Sequence, residues 1–535
     1  MTEQLPSPHD YGLPHPKWRK HQYEVLQKVA ETANTNTTTI ISAPTGSGKT
    51  SFAAALGRDN KVIALTRTKA LQEQYADIYG FIHLFGKGNY QCPLLGTGAD
   101  RCKHKKDPRK CDHFSICPYY IRKAAAMNAN RCALNYAYFM TASWPKKLAP
   151  QGFLFLDECH MLSDITIEHS STTLTESDRR EYGLSDFPML TTKGASLFFQ
   201  NSVEDAAIAW LEDAVTKIGN RLKVMELLAE RNPQLNPKRD KVSNKHHAVT
   251  NTYEALSTAP DDWFIRSGRG ALDDGGTGFV ARPLTARNHF SRLFLHGGPT
   301  VLMSATVGDF DTFAAGLGIK QHFDIAVPNQ WEANARPVYV WKGAPKISSR
   351  TSKPSDYEKQ ADIIARMVHE VPNMWSGVIH CSSIVQAKSL ADRLAKDRGL
   401  QDRIWLTPRT GTNNQLRQWG FTKRRHHRTG MIAVAWSWWE GVDLGDERIN
   451  ITAKIKFPTL ATEYARQKKN FDQAFYRQEA AWGVQQSSGR IRRGRRTDYD
   501  TDGQMAKLVA IVDGNIDMVY DNFDADFKEA ITEWN

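Results

Sequence analysis

The chain has 535 residues, room for about three or four domains rather than one small binding module. Charged residues make up 24% and the hydrophobic set 41%, the balance of a chain with several packed cores rather than a disordered one. The 70 Lys and Arg against 58 Asp and Glu leave a formal +12, which favours a polyanionic partner, nucleic acid ahead of an anionic membrane. No run reaches the ~20 apolar residues of a spanning helix, so no membrane partner is expected. Met1 to Ser7 carries neither a basic nor an apolar leader, and seven cysteines in so long a chain do not suggest a disulfide framework. A reducing, cytoplasmic setting is the expectation, and the compact length would suit a phage or mobile-element product.

Apolar, β-branched runs recur between polar, helix-like stretches. Residues 37–43, 61–66, 152–156 and 300–304 predict one series of buried parallel strands. A second series falls at 377–381, 403–406, 430–435, 449–453 and 507–512. Strands alternating with helices imply an α/β chain with two parallel-sheet domains. Two insertions interrupt the first series. Residues 86–135 hold a cysteine cluster. Residues 161–290 open polar, hold a helical pattern from Val203 to Arg231, pass through a Pro, Asn and Lys-rich loop at 232–245, and close on a Gly-rich stretch at 273–278.

The segment Ala43-Pro44-Thr45-Gly46-Ser47-Gly48-Lys49-Thr50 follows a strand-like run and precedes a good helix start. That is a phosphate loop: backbone N–H groups of a glycine turn and a helix N-terminus cradle phosphate oxygens, Lys49 reaches the β/γ-phosphates, and the Thr50 hydroxyl ligates Mg²⁺. Asp157 and Glu158 end the apolar run from Phe153, where parallel sheets bind their ligands. Asp157 there suits Mg²⁺ and Glu158 the attacking water. Gln486, Gly489, Arg490 and Arg493 lie late in the second series. Arg490 and Arg493, three apart, would share a helix face and stabilise charge on a transferring phosphoryl group.

Cys92, Cys102, Cys111 and Cys117 are separated by nine, eight and five residues, with no Cys-x-x-Cys knuckle. Spacing alone disfavours zinc, suits an iron-sulfur cluster and leaves uncoordinated thiols open. Arg101, Lys103, Lys105, Lys106, Arg109 and Lys110 are interleaved with them, and Tyr90, Phe114 and Tyr119 offer rings for stacked bases or for packing around a cluster. Trp436, Trp438 and Trp439 read as core rather than as a base-stacking platform. The basic run Lys423 to Arg428 beside a probable loop fits a phosphate grip or a solvated face equally.

In this order the motifs resemble those of the superfamily 2 helicases, the DinG/XPD iron-sulfur branch in particular, over nearly the whole chain. Arg19-Lys20-His21-Gln22 looks like the Q motif, with Gln22 reading adenine. Thr66 to Leu71 resembles a single-strand contact, Asp157 to His160 the DExH box, Ser304-Ala305-Thr306 motif III, Trp439 to Asp443 motif V and Gln486 to Arg493 motif VI. The resemblance implies ATP and Mg²⁺ as cofactors, held by Arg19, Gln22, Gly46, Gly48, Lys49, Thr50, Asp157 and Asp443. Catalysis falls to Lys49, Asp157, Glu158, Gln486, Arg490 and Arg493, and a [4Fe-4S] cluster to Cys92, Cys102, Cys111 and Cys117. Cys132, where the family has an aliphatic strand residue, reads as a buried thiol. The implied layout is a first RecA-like domain at 1–85, 136–160 and 291–325, an iron-sulfur domain at 86–135, a mainly helical arch-like insertion at 161–290 and a second RecA-like domain at 326–535. The implied activity is ATP-driven 5′ to 3′ translocation on single-stranded DNA with opening of forked DNA; a non-unwinding nucleic-acid-stimulated translocase or remodelling ATPase and an RNA helicase are the alternatives, and a monomer is one open oligomeric state.

Overall fold

The computed structural model describes residues 6–33, 38–44, 47–102, 104, 108–188, 203–329, 332–348, 351–426, 430–439, 447–489 and 507–534. The strands run in chain order as β1 Thr38–Ser42, β2 Lys61–Thr66, β3 Ile82–His83, β4 Arg131–Asn135, β5 Gly152–Asp157, β6 Thr172–Thr175, β7 Trp263–Gly268, β8 Gly278–Pro283, β9 Thr300–Ser304 and β10 His322–Ala326. After them come β11 Val338–Trp341, β12 Gly377–His380, β13 Ile404–Leu406, β14 Ile432–Ala435, β15 Ile449–Thr452, β16 Leu508–Ile511 and β17 Ile531–Trp534.

Two seven-stranded parallel sheets result, ordered β10-β1-β9-β5-β2-β4-β3 and β13-β14-β12-β15-β16-β11-β17. Each is the sheet of a RecA-like α/β lobe. All nine runs read as buried strands are strands, because a sheet covered on both faces demands continuous apolar sequence. The first sheet shows this directly: Ile40, Ile63, Leu154 and Leu302 pack on one face, while Ile41, Ala64, Phe155 and Met303 pack on the other. Strands β3, β10, β11 and β17 were not expected. Of these, β3, β10 and β17 are sheet edges. Cys132 sits buried in β4, between β2 and β3.

Parallel register decides where the chemistry gathers. Ser42 is level with Ser304, and Asp157 with Met303, so the turns leaving β1, β5 and β9 open at the same edge of the first sheet. That edge faces the second lobe.

The segment after β5 departs from expectation in one place. The helix Val203–Arg231 has the expected bounds, but the loop expected at 232–245 is a short turn, Pro233–Leu235, followed by a second long helix, Asn236–Thr258. Pro237 stands in the first helical turn, where its missing N–H costs nothing. The polar composition hid a buried stripe of Arg239, Val242, Val249, Thr252 and Leu256 that packs on the first helix. Beneath this hairpin lies a three-stranded antiparallel sheet, β6-β8-β7, so the insertion is helical with a small sheet at its base. Among the described residues no helix is long and apolar enough to cross a membrane.

Candidate nucleotide cleft and cysteine pocket

The segment expected to be a phosphate loop lies between β1 and the helix Lys49–Leu56. Gly48, its N-cap, has φ +85°, and a Cβ there would meet the Gln22 amide, so a side chain is excluded by conformation and by space. Gln22 is buried: its Oε1 accepts from the Arg19 backbone N–H at 3.0 Å and its Nε2 donates to Ser51 Oγ at 2.6 Å. The residue expected to read a base thus also braces the first turn of the phosphate helix. Lys49 Nζ donates to the Ala43 carbonyl at 3.1 Å, folded back over its own loop.

Asp157 ends β5 under the loop and is buried. Its Oδ2 accepts from Tyr75 at 3.1 Å, its Oδ1 from the Glu158 backbone N–H at 3.0 Å, and its carbonyl from Tyr136 at 2.6 Å. Burial, then the neighbouring Glu158 charge, pushes its carboxyl up to about 6, while Lys49 pulls the other way. A buried carboxylate whose charge is only partly offset by one nearby ammonium suits a divalent cation. Tyr75 and Tyr136 escaped the sequence reading, since nothing in their spacing marks them; both are buried, and burial raises both phenols.

Glu158 adopts φ +56°, ψ +45°, the left-handed region that non-glycine residues rarely enter. The turn swings the chain so that His160 Nδ1 lies 3.4 Å from Glu158 Oε2 and 2.9 Å from Ser304 Oγ. On the other side of the ring, Nε2 lies 2.7 Å from Gln486 Nε2, and that amide also donates to Thr306 Oγ1 at 3.3 Å. With the Gln486 amide as donor, the His160 proton sits on Nδ1, aimed at Ser304 and Glu158. A connected polar path therefore runs from the acid box through the turn after β9 to the helix Gln473–Gly489 of the second lobe. Gly46, Asp443, Arg490 and Arg493 lie outside the described residues.

The cysteine segment is built differently. Between β3 and the helix Pro118–Asn128 the described residues form short 3-10 turns at Lys87–Asn89, Ala99–Arg101, Pro108–Lys110 and Phe114–Ile116 and one isolated antiparallel bridge, Gln91 to Gly98. Cys92, Cys102, Cys111 and Cys117 all line one small pocket, with Phe114 and Tyr120. Burial, then the Cys102, Cys117 and Cys111 thiols, raises the Tyr120 phenol to about 12. Among the described residues no three His, Cys, Asp or Glu side chains converge closely enough to hold a single metal ion. Tyr119 is buried edge-on to Tyr90, and Lys87 covers the Tyr119 and Tyr120 rings at 5.2 and 5.4 Å, so these rings pack around the pocket. Asn236, heading the second long helix of the insertion, donates to the Arg101 carbonyl at 2.9 Å and joins the two insertions.

Two further expectations meet the structure. Trp438 and Trp439 are buried core residues, with indole N–H groups on Gln415 and the Cys381 carbonyl. The basic run at 423 starts in the last turn of the helix Thr412–Arg425, where cations complement the helix dipole, and Lys423 pairs with the buried Glu447.

A family model for ResIII, the res subunit of type III restriction enzymes, matches residues 15–176. No curated protein matches the sequence. Solved structures with the same architecture include an XPD helicase at 14% identity, covering 97% of this chain and 100% of that one with a TM-score of 0.55. An apo XPD structure follows at 15% identity, with 96% and 100% coverage and a TM-score of 0.50. The Xpd4 of S. tokodaii matches at 14% identity, with 97% and 100% coverage and a TM-score of 0.50. Both lobes and both insertions fall within these matches, and the DinG/XPD-like order of motifs fits them. In fold, this chain is similar to these XPD helicase structures along nearly its whole length.

Proposed function

We propose that this chain is an ATP-dependent DNA helicase that moves 5′ to 3′ on single-stranded DNA and opens forked duplexes. The observation that carries the reading is the polar path from Glu158 through His160 to Gln486. It joins the residue best placed to activate water on one lobe to a segment of the other, across the cleft where a nucleotide would bind.

In this reading Lys49 and the N–H groups of its helix hold the phosphates. Thr50 and Asp157 would hold Mg²⁺, whose charge would offset that of the phosphate oxygens. Glu158 orients water and takes its proton, and His160, fixed by Ser304 and Gln486, keeps that carboxylate aimed. Arg490, Arg493 and Asp443 complete the proposed set from the second lobe. Closing of the lobes reshapes Thr306 and Gln486 together, which is how hydrolysis would be coupled to a step along the strand. Each base-pair step opened costs on the order of 1.4 kcal/mol, well within reach of an ATP-driven cycle.

We also propose that Cys92, Cys102, Cys111 and Cys117 hold a [4Fe-4S] cluster. The support is the donor set: four thiols lining one pocket, in a segment whose described elements are short turns. Such a cluster would staple that segment, much as metals do in small domains.

The test is ATP hydrolysis and unwinding of forks with 5′ or 3′ tails, in DNA and in RNA. DNA-stimulated hydrolysis with unwinding of 5′-tailed DNA forks is expected. Stimulation without strand separation would mean a translocase, and a response to RNA alone would mean an RNA helicase.

A further inference from the structure

Asp524 lies between the turn Tyr520–Asn522 and the helix Ala525–Glu529, far in sequence from every motif of the cleft, yet it is buried against three of them. Its Oδ1 accepts from the Gly308 backbone N–H at 2.6 Å and from Ser42 Oγ at 3.2 Å, and its Oδ2 accepts from the Gln485 amide. Ser42 is the last residue of β1, directly before the phosphate loop. Gly308 follows Thr306 by two residues, and Gln485 precedes Gln486.

The surroundings make the contact specific. Gly308 has φ +77°, and a Cβ there would fall within the Gln478 amide, so only glycine lets its N–H approach. Gln478 Nε2 and Trp482 Nε1 both donate to the Val307 carbonyl, at 2.9 and 2.8 Å, and Asn522 Nδ2 donates to Gln478 Oε1 at 3.1 Å. The strand-to-turn segment after β9 is therefore held from both sides by the second lobe.

Two of the three donors to Asp524, Ser42 and Gly308, belong to the first lobe, whereas Gln485 and Asp524 itself belong to the second. Parting of the lobes removes two of its three partners and admits water; closing restores them all at once. All three donors are neutral, so the carboxylate is not locked by a salt bridge to any of them, and the arrangement can form and break in each cycle.

We propose that Asp524 is a positioning residue that latches the second lobe to both ends of the phosphate-binding edge, passing strand-induced closure to Ser42 and the phosphate loop. This rests on the helicase reading above. Asp524 touches no reacting atom; its effect is on how far nucleic acid accelerates hydrolysis.

The experiment uses the full chain and compares ATP hydrolysis with and without saturating single-stranded DNA. Asp524→Asn keeps one acceptor oxygen but turns an amide against the Gln485 amide. It is expected to lower the DNA-stimulated rate about tenfold, the loss of one charge-assisted hydrogen bond, while the unstimulated rate and the KM for ATP change by less than about twofold. Pairing it with Gln485→Glu restores an acceptor opposite the new amide and should recover most of the stimulation. Ser42→Ala should lower stimulation in the same direction by a smaller factor. Unchanged stimulation in Asp524→Asn, an equal fall of both rates, or no recovery in the double variant would each overturn the latch. Wild-type protein that hydrolyses ATP without any response to DNA would overturn the helicase reading along with it.

Discussion

The nucleotide cleft and the cysteine pocket both draw on the first lobe but are held together by opposite means. In the cleft, hydrogen bonds span the chain: His160 meets Gln486, and Asp157 meets Tyr75, on elements fixed by a seven-stranded sheet. In the pocket, four thiols come from within one short stretch whose described elements are single turns and one isolated bridge. The first-lobe side of the cleft is thus built on a sheet, whereas the pocket has no such scaffold of its own and, in the proposed reading, would take its order from what its thiols bind. Damage should stay local in the first and spread through the segment in the second.

The largest effect expected from testing that contrast is on turnover. Glu158→Gln should retain ATP binding and lower hydrolysis by about 10³, the usual weight of a general base, with full iron content. Loss of ATP binding in that variant would mean that Glu158 shapes the cleft instead. Next, Cys102→Ser in anaerobically purified protein should lose iron and visible absorption together and leave residues 86–117 open to protease. Zinc recovered at one equivalent from the wild type would replace the cluster with a single ion.

Smaller in scale is Gly308→Ala. A Cβ at a left-handed position, set against Gln478, should cost about 2 to 3 kcal/mol of stability, read by chemical unfolding. A melting curve identical to wild type would show that the lobes do not meet there. The smallest effect is titration of Asp157. Its carboxyl is raised to about 6, so below that pH it carries a proton that a bound cation must displace. Mg-ATP affinity should therefore weaken as pH falls from 7 to 5, by up to about tenfold. Folding moves the opposite way: the penalty for burying this charge, present above pH 6, fades as pH drops toward the ordinary carboxylate range. Asp157→Asn should bind Mg-ATP weakly and lose this pH dependence, and a wild type with a flat profile would contradict the buried-carboxylate account.

Much of the fold could be read in advance where a local rule sufficed. Continuous apolar runs marked the buried strands, and Val203 to Arg231 repeats at helical period. The helix at Asn236–Thr258 escaped notice because its buried stripe includes Asn236, Arg239 and Thr252, which look polar until a partner helix satisfies or covers them. The edge strands β3, β10 and β17 also escaped, whereas β13, equally an edge, was legible from its apolar run.

The sequence by itself determined the buried strands and the short motifs at their ends. A glycine turn before Lys49 and Thr50, and an acidic pair ending an apolar strand, are each legible within eight residues, because the phosphate and metal binding expected of them needs contiguous backbone and short side chains. It also placed four cysteines in one stretch. Only the tertiary structure decided that Gln22 braces Ser51, that Tyr75 and Tyr136 hold Asp157, that His160 reaches Gln486, and that Asp524 gathers donors from both lobes. Those partners lie tens to hundreds of residues apart, and sheet register and lobe packing, rather than any local pattern, bring their polar atoms within hydrogen-bonding distance.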